Sequence, residues 1–126
     1  MKRVLVVDDN DAILKSVSLL LRSKNFDVIT HNGSGDLARF VCKERPDVIL
    51  LDYLLSGKNG AEIVRQFKKY DTAARIPIIA VSAHPSAHLQ MAQEGVYTFI
   101  QKPFDSDTIL MKIDQALKRA AVFEEA

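Results

Sequence analysis

The sequence predicts a doubly wound α/β fold, a parallel sheet of five strands with helices packed on both faces. Three observations carry this prediction. Unbroken apolar runs at 4–7, 48–51 and 78–81 read as strands buried on both sides. Two mixed runs, 26–30 and 97–100, read as edge strands exposed on one side. The segments between them carry apolar residues at helical spacing.

In chain order, the run Val4, Leu5, Val6, Val7 gives the first strand, and Ile13, Val17, Leu20 and Leu21 form the stripe of the first helix. The second strand follows at 26–30, then a helix marked by Leu37, Ala38, Val41 and Cys42. The third strand, 48–51, leads into a loop in which Gly57 and Gly60 read as turn residues, and Ile63, Val64 and Phe67 mark the third helix. After the fourth strand, a fourth helix is expected over about 85–94, with Pro85 suited to a first turn and Gly95 to a stop. Its stripe, Leu89 and Ala92, is weak. The fifth strand precedes a fifth helix carrying Leu110, Ile113, Leu117 and Ala120. Strict alternation with right-handed crossovers gives five strands and five helices in the flavodoxin-like order 2-1-3-4-5.

Bulk properties narrow the function. At 126 residues the chain is expected to be one domain, 1–126, burying roughly two thirds of the surface of its unfolded form. Lys and Arg number 17 against 16 Asp and Glu, so no basic footprint for nucleic-acid phosphates exists. Cys42 is the only cysteine, which excludes an internal disulfide and a cysteine-based zinc site and suits a reducing compartment. It reads as a core residue. The start, Met1-Lys2-Arg3, runs into an apolar segment that Asp8 breaks too early for a signal peptide or membrane span. A cytoplasmic setting is the expectation.

The chemistry lies where apolar runs end. Asp8 and Asp9 follow the first strand, Asp52 the third, and Lys102 the fifth, while Ser82 closes the fourth. In doubly wound sheets ligands bind beyond the carboxyl ends of the strands. Three carboxylates crowded there repel one another unless a cation joins them, and Mg²⁺, which takes hard oxygen ligands and a phosphate, suits such an edge. Asp52 would be the nucleophile toward a phosphoryl group, and the Ser82 hydroxyl could hydrogen-bond a phosphoryl oxygen held on it. Plainer readings stand beside these. Asp8, Asp9 and Asn10 suit helix capping, Ser82 a turn, and Lys102 a solvated surface. His84 and His88 have the i, i+4 spacing of a metal pair but no third ligand nearby, and read as surface residues.

These residues resemble the receiver domain of two-component response regulators, end to end. The resemblance is carried by VLVVDDN, VILLDYLLSGKNG, IIAVSAH and YTFIQKPF, in order and spacing. It implies phosphorelay signalling. Asp52 would accept a phosphoryl group from a histidine kinase or phosphotransfer protein, with Mg²⁺ on Asp9, Asp52, the backbone carbonyl of Leu54 and, partly through water, Asp8. Ser82 and Lys102 would hold the phosphoryl oxygens, and Phe99 would be the aromatic switch. Output would pass through the face made by the fourth helix, fifth strand and fifth helix to a downstream protein or attached output domain. There would be no direct contact with nucleic acid or membrane, and no enzyme activity beyond the domain's own phosphorylation and dephosphorylation.

The chain departs from the family pattern at Ser56, where proline is usual, and at Phe99, where tyrosine is common. Tyr97 and Thr98 stand where acidic residues are frequent in transcription-factor receivers, which leaves Lys112 without that partner. Two rival classes remain. A flavodoxin-like nucleotide or flavin binder needs a Gly-rich phosphate cradle, and the first turn reads Val-Asp-Asp-Asn-Asp instead. A small Mg²⁺-dependent phosphatase would need a general acid where Leu54 stands, and a substrate cap.

Overall fold

The computed structural model describes residues 1–55, 58–84 and 87–125. Its elements are β1 (Arg3–Val7), α1 (Asp11–Ser23), β2 (Asp27–His31), α2 (Leu37–Glu44), β3 (Val48–Asp52), β4 (Leu54–Leu55), β5 (Lys58–Asn59), α3 (Gly60–Phe67), α4 (Asp71–Ala74), β6 (Ile78–Ser82), α5 (Ala87–Gln93), β7 (Thr98–Gln101) and α6 (Ser106–Glu125). Five strands form one parallel sheet in the order β2-β1-β3-β6-β7, the flavodoxin-like order expected.

Side-chain alternation along the strands builds a core on each face. Val4, Val6, Val48, Leu50, Ile79 and Val81 point toward α1 and α6, where Val17, Leu21, Ile109 and Ile113 meet them. Leu5, Val7, Ile49 and Leu51 point the other way, toward Leu37, Val41, Ile63, Val64 and Phe67 of α2 and α3. A third, smaller group of Tyr53, Ala61, Ala80 and Met91 seats α5. All of β3 and β6 is buried, whereas β2 and β7 are partly exposed, as edge strands should be. Burying a side chain such as Leu51 or Ile79 contributes about 1.5–3 kcal/mol, so the central strands dominate the fold's stability.

The structure adds to the expected elements. Helix α4 has only four residues, too few for an apolar period to show, and is held by buried Ala73. The short antiparallel pair β4 and β5 tightens the loop after Asp52. With α4, the described residues hold six helices rather than five. Gly60 is not a turn residue but opens α3, with Asn59 Oδ1 accepting from Ala61 N–H at 2.8 Å as the cap. The inward stripe of α6 centres on Ile109, Ile113 and Ala116, with Leu110 and Leu117 at its flanks.

Helix α5 departs furthest from its expected phase. Leu89 is 70% exposed and Ala92 is also exposed, while Met91 is buried and Ala87 packs beside it. The preference of two weak apolar residues yields to the deeper burial of one large side chain against Ala80. Gly95 does end this helix, with φ +86, and Val96 N–H returns to Met91 O at 3.3 Å. Ser56, Gly57 and Pro85 lie outside the described residues.

Two stability predictions follow from local geometry. A Cβ on Gly60 would stand 2.7 Å from Tyr53 Cδ2 and 2.8 Å from the Tyr53 carbonyl oxygen. Because the backbone oxygen cannot step aside, Gly60→Ala should lower the urea unfolding midpoint by about 1–3 kcal/mol equivalent; an unchanged midpoint would show that β3 can yield there. Asp105 caps α6 by accepting from Thr108 N–H at 2.8 Å and Thr108 Oγ1–H at 2.7 Å. These bonds hold its carboxyl below the ordinary value. A depressed carboxyl pKa stabilises the fold above its unfolded value, and that contribution is lost as pH falls through the folded value. Acid unfolding curves of Asp105→Asn should therefore lack this component, converging with wild type at low pH and falling below it near neutrality.

Candidate functional site

Strand register assembles the site. Val7 pairs with Leu51, which places Asp8 beside Asp52 as both strands end. Asp52 pairs with Val81, so Ser82 lies one residue beyond. Ser82 in turn pairs with Gln101, and its carbonyl accepts the Lys102 N–H at 2.8 Å. Four separate strands thus deliver their terminal residues to one rim.

There, Asp8, Asp9 and Asp52 each offer a carboxylate oxygen, and these atoms lie within 4.8 Å of one another. Asp8 and Asp52 are buried while Asp9 is exposed. Lys102 Nζ stands 3.5 Å from Asp52 Oδ1 and 4.0 Å from Asp8 Oδ2. One ammonium cannot balance three carboxylates, so the cluster keeps a net negative charge that favours a divalent cation. The all-oxygen donor set and the open side at Asp9 fit Mg²⁺. Leu54 sits two residues beyond Asp52, at the start of β4.

The structure separates capping from site chemistry. Asn10 is the N-cap of α1, its Oδ1 accepting from Ala12 N–H at 3.0 Å and Ile13 N–H at 3.2 Å. Asp8 Oδ1 instead accepts from Asn10 N–H at 2.9 Å, which turns the chain and aims the other oxygen's side at Lys102. Ser82, 2% exposed, serves a turn in this arrangement, accepting the His84 N–H at 3.0 Å. Its hydroxyl is nonetheless one residue past the Asp52 pairing partner.

Phe99 lies on β7 opposite Ala80, away from the charged cluster and among the residues that seat α5. His84 is exposed, as expected for a surface histidine. His88 is only half-exposed. Its ring stacks on Phe99 with centroids 3.8 Å apart and planes at 29°, and its Nε2 is buried without a hydrogen-bond partner among the described residues. Sequence reasoning also passed over Tyr53. It is buried next to Asp52, and its hydroxyl donates to Gln90 Oε1 on α5. Burial first, and then the Glu94 carboxylate, raise the Tyr53 pKa above the ordinary phenol value. An aromatic residue directly after an acid-terminated apolar run was the available signal.

Comparison with known proteins agrees with this geometry. Residues 4–114 match the response regulator receiver domain, and the chain belongs to that family. It is 29% identical over 119 residues to Protein PilH of Pseudomonas aeruginosa, covering 93% of this chain and 98% of that one. It is 30% identical over 120 residues to transcriptional regulatory protein GlrR of Escherichia coli K12, covering 94% of this chain but only 27% of that longer protein. The structure of Vibrio cholerae chemotaxis protein CheY4 superposes with a TM-score of 0.85 at 26% identity, covering 93% of this chain and 99% of that one. The domain is a signalling receiver of the phosphorelay type, and neither rival class finds support. No described helix is long and apolar enough to cross a membrane.

Crowding among the carboxylates has a measurable consequence. Asp9→Asn should leave the metal-free melting temperature unchanged or raised, because it removes one repelling charge. Magnesium at a hundredfold excess over its Kd should stabilise wild type by about 2.7 kcal/mol. The same addition should stabilise Asp9→Asn much less, and an equal shift in thermal melts would remove Asp9 from the ligand set.

Proposed function

We propose that Asp52 is the phosphoacceptor of a single receiver domain spanning 1–126, and that its phosphorylation switches which partner the domain binds. The observation that carries this reading is the Lys102 ammonium 3.5 Å from Asp52 Oδ1, inside the cluster that Asp8 and Asp9 complete. A carboxylate buried beside a fixed cation, at an edge open to a donor, is placed for in-line attack on a phosphoryl group.

The donor is a phosphohistidine of a histidine kinase or phosphotransfer protein. An Asp52 oxygen forms a bond to phosphorus as the bond from phosphorus to the histidine nitrogen breaks, leaving an aspartyl phosphate and, with a proton on the other ring nitrogen of the donor, a neutral histidine. Asp8, Asp9, Asp52 and the Leu54 carbonyl would hold Mg²⁺, which supplies neutralisation of the charge developing on the phosphoryl oxygens. Lys102 meets one of those oxygens from the position it already occupies beside Asp52. Ser82 reaches another by giving up its turn contact with His84. Little covalent chemistry is asked of the protein, and positioning with electrostatic stabilisation does the rest. The same site promotes loss of the phosphoryl group to water.

The switch passes from Ser82 to Phe99 and reshapes the face of α5, β7 and α6. The recipient is a downstream protein or an output domain attached to this one, in the cytoplasm, where the Cys42 thiol stays reduced. With 17 basic and 16 acidic side chains the domain has no electrostatic reason to contact nucleic acid or an anionic membrane itself.

Intact-mass measurement after incubation with acetyl phosphate and Mg²⁺ tests the acceptor. Wild type should gain one acid-labile phosphoryl group, and Asp52→Asn should gain none. Equal incorporation in the variant would move the acceptor elsewhere.

A further inference from the structure

Tyr53 follows the phosphoacceptor directly yet belongs to a different environment. Its ring is buried with Ala61, Ala80 and Met91, and its hydroxyl donates to Gln90 of α5. The root of this side chain is immobile. Tyr53 N–H donates to Val81 O at 2.9 Å, and its carbonyl accepts from Gly60 N–H at 2.7 Å. The approach of Gly60 leaves no room even for a methyl group between the two residues. Tyr53 therefore moves with β3.

Helix α5 is held far less firmly. Met91 is its one buried residue among those described. Among the described residues its other ties include Ala87 packed beside Met91, the Arg65 to Glu94 ion pair just past its end, at 3.0 Å, and the stack of His88 on Phe99. Gln90 is solvent-exposed, so nothing in a packed core dictates where its amide points. The hydrogen bond from Tyr53 fixes it.

We propose that the Tyr53–Gln90 hydrogen bond is a brake: Tyr53 is a positioning residue that holds α5, and through His88 the Phe99 ring, in the arrangement belonging to unmodified Asp52. This rests on the reading of Asp52 as phosphoacceptor and of Ser82 and Phe99 as the switch. When Ser82 leaves His84 for a phosphoryl oxygen, His84 is released from β6, and α5, whose Ala87 N–H donates to the His84 carbonyl at 3.1 Å, shifts with it while Tyr53 stays with β3. The bond does not survive both positions. Because Phe99 stacks on His88 from the same helix, its turn waits on the same displacement. A bond present in only one of two states opposes the other by its own free energy. Its loss should therefore ease the switch.

The test titrates wild type, Tyr53→Phe, Gln90→Ala, the double variant and Asp52→Asn with beryllium fluoride and magnesium chloride, followed by NMR of α5 amides and the Phe99 ring. Tyr53→Phe keeps the buried ring, and Gln90→Ala changes only an exposed side chain. Each single variant should bind beryllofluoride roughly two- to tenfold more tightly, the scale of one net hydrogen bond. The double variant should bind no more tightly than either single one. A purely structural role would lower the melting temperature without tightening binding. Unchanged or weaker affinity in both single variants, or additive gains in the double variant, overturns the brake while leaving the phosphoacceptor intact. Absence of any response in wild type, or an equal response in Asp52→Asn, overturns both.

Discussion

The register of the parallel sheet is the constraint on which the rest depends. β3 is paired on both sides and buried along its whole length, so a slip of one residue against β1 would exchange the side chains that fill the two cores and carry Asp52 about 3.3 Å along the strand, out of step with Asp8. The same ladders tie Asp8 to the end of β1 and Ser82 and Lys102 to the ends of β6 and β7. Packing energy spent on Leu51, Ile79 and their neighbours is what forces like charges together at the rim. No local preference of Asp8 or Asp52 would bring them there.

That enforced proximity gives the site its character. Lys102 relieves part of the repulsion but cannot cancel it, and Asp8 is further committed to the Asn10 N–H. A cluster left with net negative charge by its own fold offers a divalent cation an all-oxygen donor set. The N-cap position that would be the plainest rival explanation of the first acidic pair is held by Asn10.

Mobility is distributed unevenly around this rigid rim. The two large cores bind α1, α2, α3 and α6 through several buried side chains each, whereas α5 rests on Met91 and a few edge contacts. Elements with few buried apolar contacts lie at the low end of local stability and are the ones that switching can move. Tyr53 and His88 connect that loosely seated helix to the end of β3 and to the Phe99 ring.

By itself the sequence determined the five sheet strands to within a residue, their order and the charged rim, because each buried strand is a continuous apolar run closed by a polar residue. That signal is one-dimensional and survives without knowledge of the neighbours. The tertiary structure alone decided which side of α5 turns inward. Over seven residues no helical period can establish itself, and Met91 wins over Leu89 only because Ala80 leaves space for it. It likewise decided that Gly60 opens a helix against Tyr53, that His88 stacks on Phe99 rather than facing water, and that Asn10 is the cap. The Gly60 and His88 contacts depend on a partner carried by another element, Tyr53 and Phe99, which residue spacing cannot reveal, and the Asn10 cap is a choice among three adjacent capping residues that only the folded backbone made.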